Sequence, residues 1–441
     1  MKKYLTLLAG IATLGLTVPS IADEDDHKRK GLNEHAKHEL VDAGVTKYVD
    51  RFWPAVSQDV GDGWIKHTYA PNPFEGPICI AGTPYSVFTK VRNPKKLMIF
   101  LQGGGACWQD FYFCNVVVET FGQQAPPPPV GIWAEGVDAV LGPVDNPLDD
   151  YSVVFLPYCD GSVFSGDNVV PDPNWQAFIE QQLNLPPGSG PPVRFHRGLQ
   201  NATAGIDVAK AMFPKAKKIV VAGSSAGGVG ASGFAPFLAR MAFGDKRKLG
   251  VINDAGPVAI NLLDVNGIAA RAMDWQFGQF YPASCAACDA FTGQGTAIIK
   301  WRLDNDSTIR EAFYSTDGDT TNRFFLGVPT QQMYRQLIVS EHGKLNDAHP
   351  GRYKRFIRSG DDDHIALQGP TFYLNTANGL PLNEWIEDFL RFNGNEGHDD
   401  DEHDHHDEDD DDDHDHDERE RPPKGWVDIV EDFVPVPVPA T

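Results

Sequence analysis

Basic residues are scarce in this 441-residue chain, which has 38 Lys and Arg against 61 Asp and Glu and a net charge of -23. This balance argues against nucleic acid or an anionic membrane surface as the main partner. Beyond the N-terminus no stretch approaches the ~18 apolar residues of a membrane span, and no internal repeat is present. The hydrophobic fraction of 41% instead provides for a large core, which excludes a wholly disordered or collagen-like chain.

The N-terminus predicts an export signal. Two lysines precede a mostly apolar stretch from Tyr4 to Val18, and small side chains lead up to Ala22. This order is typical of a secretory signal peptide cleaved after Ala22. We therefore expect residues 1–22 to be removed and the mature protein to be periplasmic or secreted. The polar residues 23–45 are expected to form a mobile lead-in.

Cysteine is also scarce, and its even number in an exported chain suggests disulfides. The six residues are Cys79, Cys107, Cys114, Cys159, Cys285 and Cys288. Six cysteines allow about fifteen pairings, and the sequence does not choose among them. Pairs 107–114 and 285–288 would close short loops and leave 79 with 159. A metal or redox site at 285–288 is the alternative, but no second Cys pair and no thioredoxin-like context accompanies it.

Short apolar runs alternate with helical patterns over residues 46–393, which we interpret as one globular domain. The predicted strands are 97–101, 152–156, 218–222, 249–252, 353–357 and 297–301, and the predicted helices are 198–212, 226–243, 382–392 and 308–313. This alternation predicts an α/β fold with a mostly parallel sheet and helices on both faces. The carboxyl ends of its strands would then form one edge, where sites are usually found.

One motif predicts a nucleophile. Gly223-Ser-Ser225-Ala-Gly227 follows a predicted strand and precedes a predicted helix, which is the context of a nucleophile elbow. Small residues on either side allow the sharp turn, and the helix N-terminus favours a developing negative charge on Ser225. The structural alternative is a glycine-rich turn with an idle serine.

A serine nucleophile needs a base and an orienting acid further along the chain. His364 is the favoured base because it follows a late predicted strand through a short polar turn, whereas His342 and His349 are expected on the solvated surface. Asp306 is the favoured acid, with Asp304 close behind it. Asp254, at a strand end, is a third candidate.

A glycine-rich loop after the strand at 97–101 could supply backbone N–H donors for an oxyanion, together with Ala226, the residue after Ser225. The loop reads Gln102-Gly-Gly-Gly-Ala106. A phosphate-binding loop is the rival, but no Lys-Ser/Thr follows the glycines. Trp108, Phe111, Tyr112 and Phe113 come next and are candidates for the wall of an acyl pocket or for the core.

Several motifs together resemble the pectin acetylesterase / Notum family over roughly residues 46–393. They are 100–108 (FLQGGGACW), 113–114 (FC), 157–161 (PYCDG), 195–198 (FHRG) and 223–228 (GSSAGG). The resemblance implies an α/β-hydrolase-like fold that cleaves carboxylic esters with a Ser/Asp/His triad and without a cofactor. It assigns Ser225 as nucleophile, His364 as base and Asp306, or alternatively Asp304, as acid. Gly104, Gly105 and Ala226 correspond to the oxyanion donors.

The chain departs from the family pattern beside this predicted pocket. Gln102 stands where relatives often carry Glu, and 158–162 (YCDGS) differs from the commoner Tyr-Cys-Thr-Gly-Asp. Because the changes lie near the pocket, they bear on substrate identity more than on the ester chemistry. An acylated glycan or a small ester both fit the resemblance.

An extremely acidic stretch follows the predicted domain. Residues 394–424 contain 17 Asp and Glu and six His, a composition that predicts disorder. It could simply solubilise the protein, or it could bind divalent cations such as Ca²⁺ or Zn²⁺ loosely. The last segment, 425–441, is a C-terminal tail. Its residues 425–433 are expected to dock back on the body, whereas 434–439 alternates Val and Pro and cannot form a central strand.

The sequence thus predicts an exported serine hydrolase of carboxylic esters, with no defined metal site and no cofactor. Two alternatives remain open at this point. One is an exported metal-binding protein that acts through its His/Asp-rich segment, and the other is a hydrolase-like fold that binds glycan or lipid without turnover.

Overall fold

The protein is described by a computed structural model over residues 31–114, 124–391 and 425–437. The strands are β1 Val56–Gly61, β2 Trp64–Thr68, β3 Ser86–Lys90, β4 Asn93–Leu101, β5 Gly105–Trp108, β6 Phe111–Cys114, β7 Val137–Asp138, β8 Gly142–Pro143, β9 Tyr151–Leu156, β10 Asn168–Pro171, β11 Val193–His196, β12 Lys218–Ser224, β13 Lys248–Asp254, β14 Arg310–Thr316, β15 Tyr353–Arg358, β16 Thr376–Ala377, β17 Leu380–Pro381 and β18 Ile429–Val430. The α-helices are α1 Glu34–Asp42, α2 Pro173–Leu183, α3 Gly198–Met212, α4 Ala226–Ser232, α5 Ala235–Phe243, α6 Val265–Trp275, α7 Thr296–Asn305, α8 Thr320–Phe325, α9 Gln331–Ala348, α10 Thr371–Leu374 and α11 Leu382–Leu390. None of the helices in these ranges has the length and apolar character needed to cross a membrane.

A ten-stranded sheet organises the molecule, in the order β1-β2-β3-β9-β4-β12-β13-β14-β15-β18. The pairs from β1 to β9 are antiparallel, and every pair from β9 onward is parallel. The mostly parallel α/β sheet predicted from the sequence is therefore confirmed. Its parallel strands end along one edge, at which β4, β12, β14 and β15 each lead into a loop of the candidate site.

Side chains of alternating direction along each strand place the core on both faces of the sheet. On β4, Leu97, Ile99 and Leu101 point into one cluster with helices α3, α4, α5, α7 and α9. Met98 and Phe100 point into the other, which Trp385 and Phe389 of α11 cover. Because both faces are buried, the strands are nearly continuous apolar runs, which is why the sequence reveals most of them.

Two adjacent elements are the reverse of what their sequences predict. The stretch 297–301, expected to be a strand, lies in helix α7, and 308–313, expected to be a helix, contributes to strand β14. A buried ion pair between the two elements made the pattern of the strand misleading. Arg302 Nε and Nη2 donate to the two carboxylate oxygens of Glu311, at 2.7 and 2.9 Å. A charged side chain in a fully buried strand gives the strand an amphipathic pattern. The predicted helix 226–243 is also divided into α4 and α5 at Gly233 and Phe234.

The expected mobile lead-in is wrong for residues 31–45. Asn33 Oδ1 accepts a hydrogen bond from Ala36 N at 2.9 Å and caps helix α1. Leu32, Ala36 and Leu40 recur every four residues and are buried in the core. The spacing of these three apolar residues is the feature of the sequence that could have predicted the helix. The predicted export signal, 1–22, lies outside the described residues.

The cysteines form three disulfides, Cys79–Cys159, Cys107–Cys114 and Cys285–Cys288. The 285–288 pair is therefore a disulfide and not a pair of metal-binding thiols. The second bridge ties β5 to β6, directly after the glycine-rich loop. The acidic stretch 394–424 lies outside the described residues. Residues 425–433, which the sequence suggested would dock on the body, do so through β18.

Candidate active site

The turn that carries Ser225 is fixed by close backbone packing. Ser225 lies between β12 and α4 with φ 57° and ψ -122°, a conformation unusual for a residue with a side chain. A Cβ on Gly223 would lie 2.2 Å from the Gly227 carbonyl oxygen, and one on Gly227 would lie 1.9 Å from that of Leu101. Only glycine fits at these two positions. The turn therefore raises Ser225 at the end of the strand and at the N-terminus of the helix.

His364 contacts both Ser225 and an aspartate. Its Nε2 lies 2.7 Å from Ser225 Oγ, and its Nδ1 lies 2.8 Å from Asp319 Oδ2. The tautomer with the proton on Nδ1 satisfies both contacts, because Nδ1–H then donates to the carboxylate and Nε2 accepts from the hydroxyl. The predicted pairing of Ser225 with His364 is thus present in the geometry.

The carboxylate beside His364 is fully buried. Asp319 follows β14 and caps helix α8, where it accepts hydrogen bonds from Asn322 N at 2.8 Å and Asn322 Nδ2 at 2.7 Å. Burial raises the pKa of Asp319, and His364 partly opposes that rise. The two N–H donors of Asn322 orient the carboxylate, and the carboxylate in turn orients the ring of His364 through Nδ1.

Neither aspartate favoured by the sequence contacts His364. Asp306 Oδ2 accepts from Arg240 Nε at 2.7 Å, and Asp304 pairs with Lys300 at 2.7 Å and with His349 at 2.9 Å. Asp306 precedes β14, whereas Asp319 follows it. Seven residues of strand separate the two edges by roughly 20 Å, so the prediction failed when the strand was mistaken for a helix. The signal for Asp319 was the polar Asp317-Gly-Asp319, shortly after the three apolar residues 312–314.

The third candidate, Asp254, holds the loop that carries the imidazole. Its two oxygens accept from Ala366 N at 2.9 Å and Leu367 N at 3.0 Å, just after His364, and Ser224 Oγ donates to it at 2.5 Å. On the other side of the same loop, Thr316 Oγ1 donates to the Asp363 carbonyl at 2.6 Å. Asp254 is thus a bridge between the loop of His364 and the strand of Ser225. Burial raises its pKa.

The histidines expected on the surface are not both there. His342 lies on α9, fully buried, with its ring stacked 3.7 Å from that of Phe313 and its Nδ1 2.5 Å from Tyr353 Oη. Burial lowers the pKa of His342 to about 3. It packs in the core, and the half-buried His349 pairs with Asp304.

The glycine-rich loop lies against Ser225. A Cβ on Gly103 would approach Ser225 Cβ to 2.9 Å, and Gly105, at φ 77°, has no room for one because the Phe113 carbonyl oxygen would be 1.9 Å away. Gly105 and Ala226 both line the cavity that Ser225 faces, and Gly104 joins Gly103 to Gly105. Gln102 Oε1 accepts from Tyr158 N at 3.1 Å, which ties the loop to the 158–162 segment.

An apolar cavity of about 170 Å³ opens beside Ser225. It runs along helix α4 from Ala226 past Val229 to Gly233. Its apolar lining includes Trp108, Val163, Phe234, Val258, Ile260, Ile268, Trp275, Ile298, Phe325 and Leu326. Arg271 is the charged residue in this lining, with its guanidinium 4.9 Å over the ring of Trp108.

The four aromatic residues after the loop have different places. Trp108 lines the cavity, and Phe111 stacks on it at 3.9 Å, with Phe113 packed against Phe111 in turn. Tyr112 lies on the other side of the β5–β6 hairpin, against Trp175, and its hydroxyl donates to Asp172 at 2.8 Å. Of the four candidates for the wall of an acyl pocket, Trp108 lines the cavity and Phe111 packs behind it.

A cluster of carboxylates precedes the imidazole. Asp361, Asp362 and Asp363 could bring their oxygens together on the surface, and they form the sole such metal-compatible group among the described residues. Asp361 is already paired with Arg358. Their exposure is that of an ordinary acidic turn.

A serine on a strand–helix turn, an imidazole bonded to it and a buried carboxylate behind the ring, at the carboxyl edge of a mostly parallel sheet, define an α/β-hydrolase-like protein. The pectinacetylesterase family model matches residues 62–280, which include the glycine-rich loop and Ser225. The chain belongs to this family and is a carboxylic ester hydrolase. Asp319 and His364 lie beyond the matched residues. The comparison with curated proteins found no significant match.

Proposed function

We propose that the protein is an exported serine hydrolase of O-acyl esters in which Ser225, His364 and Asp319 act as a triad. The hydrogen-bond chain from the Asp319 carboxylate through His364 to Ser225 Oγ carries the proposal. It ends at an apolar cavity suited to the acyl group of an ester.

The proposed reaction has two halves. His364 Nε2 takes the hydroxyl proton as Ser225 Oγ attacks the ester carbonyl, and Asp319 stabilises the imidazolium. The backbone N–H groups of Gly104, Gly105 and Ala226 are the proposed donors to the tetrahedral oxyanion. The imidazolium then protonates the departing alcohol and leaves an acyl group on Ser225. Water, activated by the same imidazole, releases the acid and restores the serine.

The cavity favours an acyl group over the alcohol as its occupant, because its lining is apolar and it begins at Ser225. A cavity of about 150 Å³ can hold benzene, so one of about 170 Å³ has room for an acyl chain of several carbons. The family supports ester hydrolysis and deacetylation. We propose an acylated glycan or a small ester as substrate.

The proposed catalytic domain is larger than the sequence indicated. It includes helix α1 and the docked residues 425–437 as well as the body, because both pack into the core. Export rests on the sequence of residues 1–22 and is consistent with three disulfides and with the typical secretion of pectin acetylesterases.

The proposal is tested with a fluorophosphonate probe and a panel of p-nitrophenyl esters of increasing acyl length. Ser225→Ala should abolish labelling and turnover and leave the melting temperature near that of wild type. Ser165→Ala is the matched control, since Ser165 lines the same cavity but contacts neither His364 nor Asp319. Undiminished turnover in Ser225→Ala would refute the assignment.

A further inference from the structure

We infer that residues 425–437, termed the C-terminal strap, position the acid and the base of the site through Glu431, Val434 and Ser359. The inference rests on the proposed triad. It assigns to the last described segment a role in turnover in addition to its packing.

The strap is anchored on the body before it reaches the site. Ile429 and Val430 form β18, which pairs in parallel with Phe356 and Ile357 of β15. Upstream, Trp385 Nε1 donates to the Val427 carbonyl at 2.7 Å. The strap therefore has a fixed register beside the strand that leads to His364.

Beyond β18 the strap holds the loop of the base. Ser359 N, directly after β15, donates to Glu431 Oε2 at 3.0 Å, and Val434 N donates to Ser359 Oγ at 2.7 Å. The other carboxylate oxygen of Glu431 accepts from Asn378 N at 3.0 Å. Ser359 is thus clamped through its backbone and its side chain, five residues before His364.

The same hydroxyl holds the loop of the acid. Ser359 Oγ donates to Asp317 Oδ2 at 2.6 Å, and Asp317 is fully buried two residues before Asp319. Gln331 Nε2 donates both to Asp317 Oδ1 at 2.7 Å and to the Val434 carbonyl at 2.9 Å. One serine side chain therefore joins the strap, the loop of the base and the loop of the acid.

Close approach of the strap to the acid loop needs a glycine between the two aspartates. A Cβ on Gly318 would lie 2.5 Å from Val436 Cγ2 and 2.4 Å from the Asp361 carbonyl oxygen. Val436 N also donates to Gln331 Oε1 at 2.9 Å. The loop of Asp319 therefore packs closely against the loop of His364 and against the strap, with no space for a side chain at Gly318.

No strap residue is among the described residues that line the cavity, so the strap acts through the triad and not on the substrate. A misplacement of about 1 Å at a reacting group can lower a rate about 100-fold. Loosening the strap should therefore lower kcat through the geometry of His364 and Asp319 and leave substrate binding nearly unchanged.

The experiment compares Glu431→Ala and Ser359→Ala with Asp432→Ala in the full-length chain. Asp432 is the exposed neighbour of Glu431 and serves as the control. With a short p-nitrophenyl ester, we expect kcat to fall about tenfold or more in the first two variants, KM to stay within about twofold, and fluorophosphonate labelling to slow in parallel. Asp432→Ala should match wild type, and Ser359→Thr, which keeps the hydroxyl, should recover most of the rate.

The pH profile separates positioning from packing. If Ser359 positions the acid and the base, the pH profile of kcat/KM should change in Ser359→Ala, whereas a loss of packing alone should leave that profile as in wild type. A lower melting temperature with unchanged kcat and an unchanged profile would overturn the inference. If Glu431→Ala does not fold, the two Ser359 variants decide the question. A wild-type protein that neither labels nor hydrolyses esters would instead defeat the proposed function.

Discussion

The turn of Ser225 and the loops of Asp319 and His364 meet at one site, but they are built in different ways. The turn is held by backbone atoms in contact, with Gly223 and Gly227 against neighbouring carbonyl groups. The loops are held by side-chain hydrogen bonds from distant segments: Asp254 binds one and Ser359 joins the two. Substitutions in the turn should therefore lower the stability of the folded protein, whereas substitutions in the loops should lower the rate of ester hydrolysis.

The largest effect is expected at the turn. In Gly227→Ala the new methyl group would overlap the Leu101 carbonyl, which lies 1.9 Å from the Cβ position. We expect the variant to lose about 3 kcal/mol or more of stability, as measured by denaturant unfolding. Gly351→Ala is the control, because a Cβ there meets nothing within 4 Å. Wild-type stability in Gly227→Ala would show that the turn tolerates a side chain.

The next effect is expected at the acid. Asp319→Asn should lower kcat by about 10⁴-fold, as in triads where the amide favours the wrong imidazole tautomer, with little change in unfolding midpoint or KM. Steady-state kinetics on purified protein measures the loss.

Asp306→Asn is the informative partner of that variant. It should keep kcat but lose roughly 3 kcal/mol of stability, because the buried guanidinium of Arg240 loses its counter-charge. The opposite result, a large loss of kcat in Asp306→Asn and an unchanged kcat in Asp319→Asn, would show that Asp306 is the acid of the triad, as the sequence favoured.

The smallest expected effect is a pH dependence of stability that arises from one buried carboxyl, Asp160. Asp160 is fully buried in the 158–162 segment, whose Tyr158 is bonded to Gln102 of the glycine-rich loop, and burial raises the pKa of Asp160 to about 6. Because the folded state holds this proton more tightly than the unfolded chain, the contribution of Asp160 to the free energy of unfolding falls as pH rises from about 4 through about 6 and is then constant. Asp160→Asn should remove this fall, so its melting temperature relative to wild type should rise between pH 4 and pH 7. A pH-independent difference would contradict the shift.

This contrast also explains what the sequence could reveal. The Ser225 turn is a local structure, so its residues occur together in the chain and the motif predicts it. The partner His364 follows a strand whose apolar residues are recognisable despite its charges. The β-strand before Asp319 was obscured by Glu311, whose partner Arg302 is visible only in three dimensions. The acid was therefore sought on the wrong side of that strand.

The contacts of the C-terminal strap were equally beyond sequence reasoning. Docking of 425–433 could be expected from its apolar residues, but its partner strand depends on which edge of the sheet is free. Glu431 and Ser359 are 72 residues apart and have no motif in common. The parallel pairing of β18 with β15 brings these two residues together.

The strap comes after every other described element in chain order, and this has a consequence for truncated forms of the chain. The Ser225 turn makes its contacts with β4 and β13, whereas the loops of Asp319 and His364 also form hydrogen bonds with residues 431–436. A chain cut before residue 431, for example by a protease, would thus keep the contacts of the Ser225 turn but lose hydrogen bonds that hold the loops of Asp319 and His364.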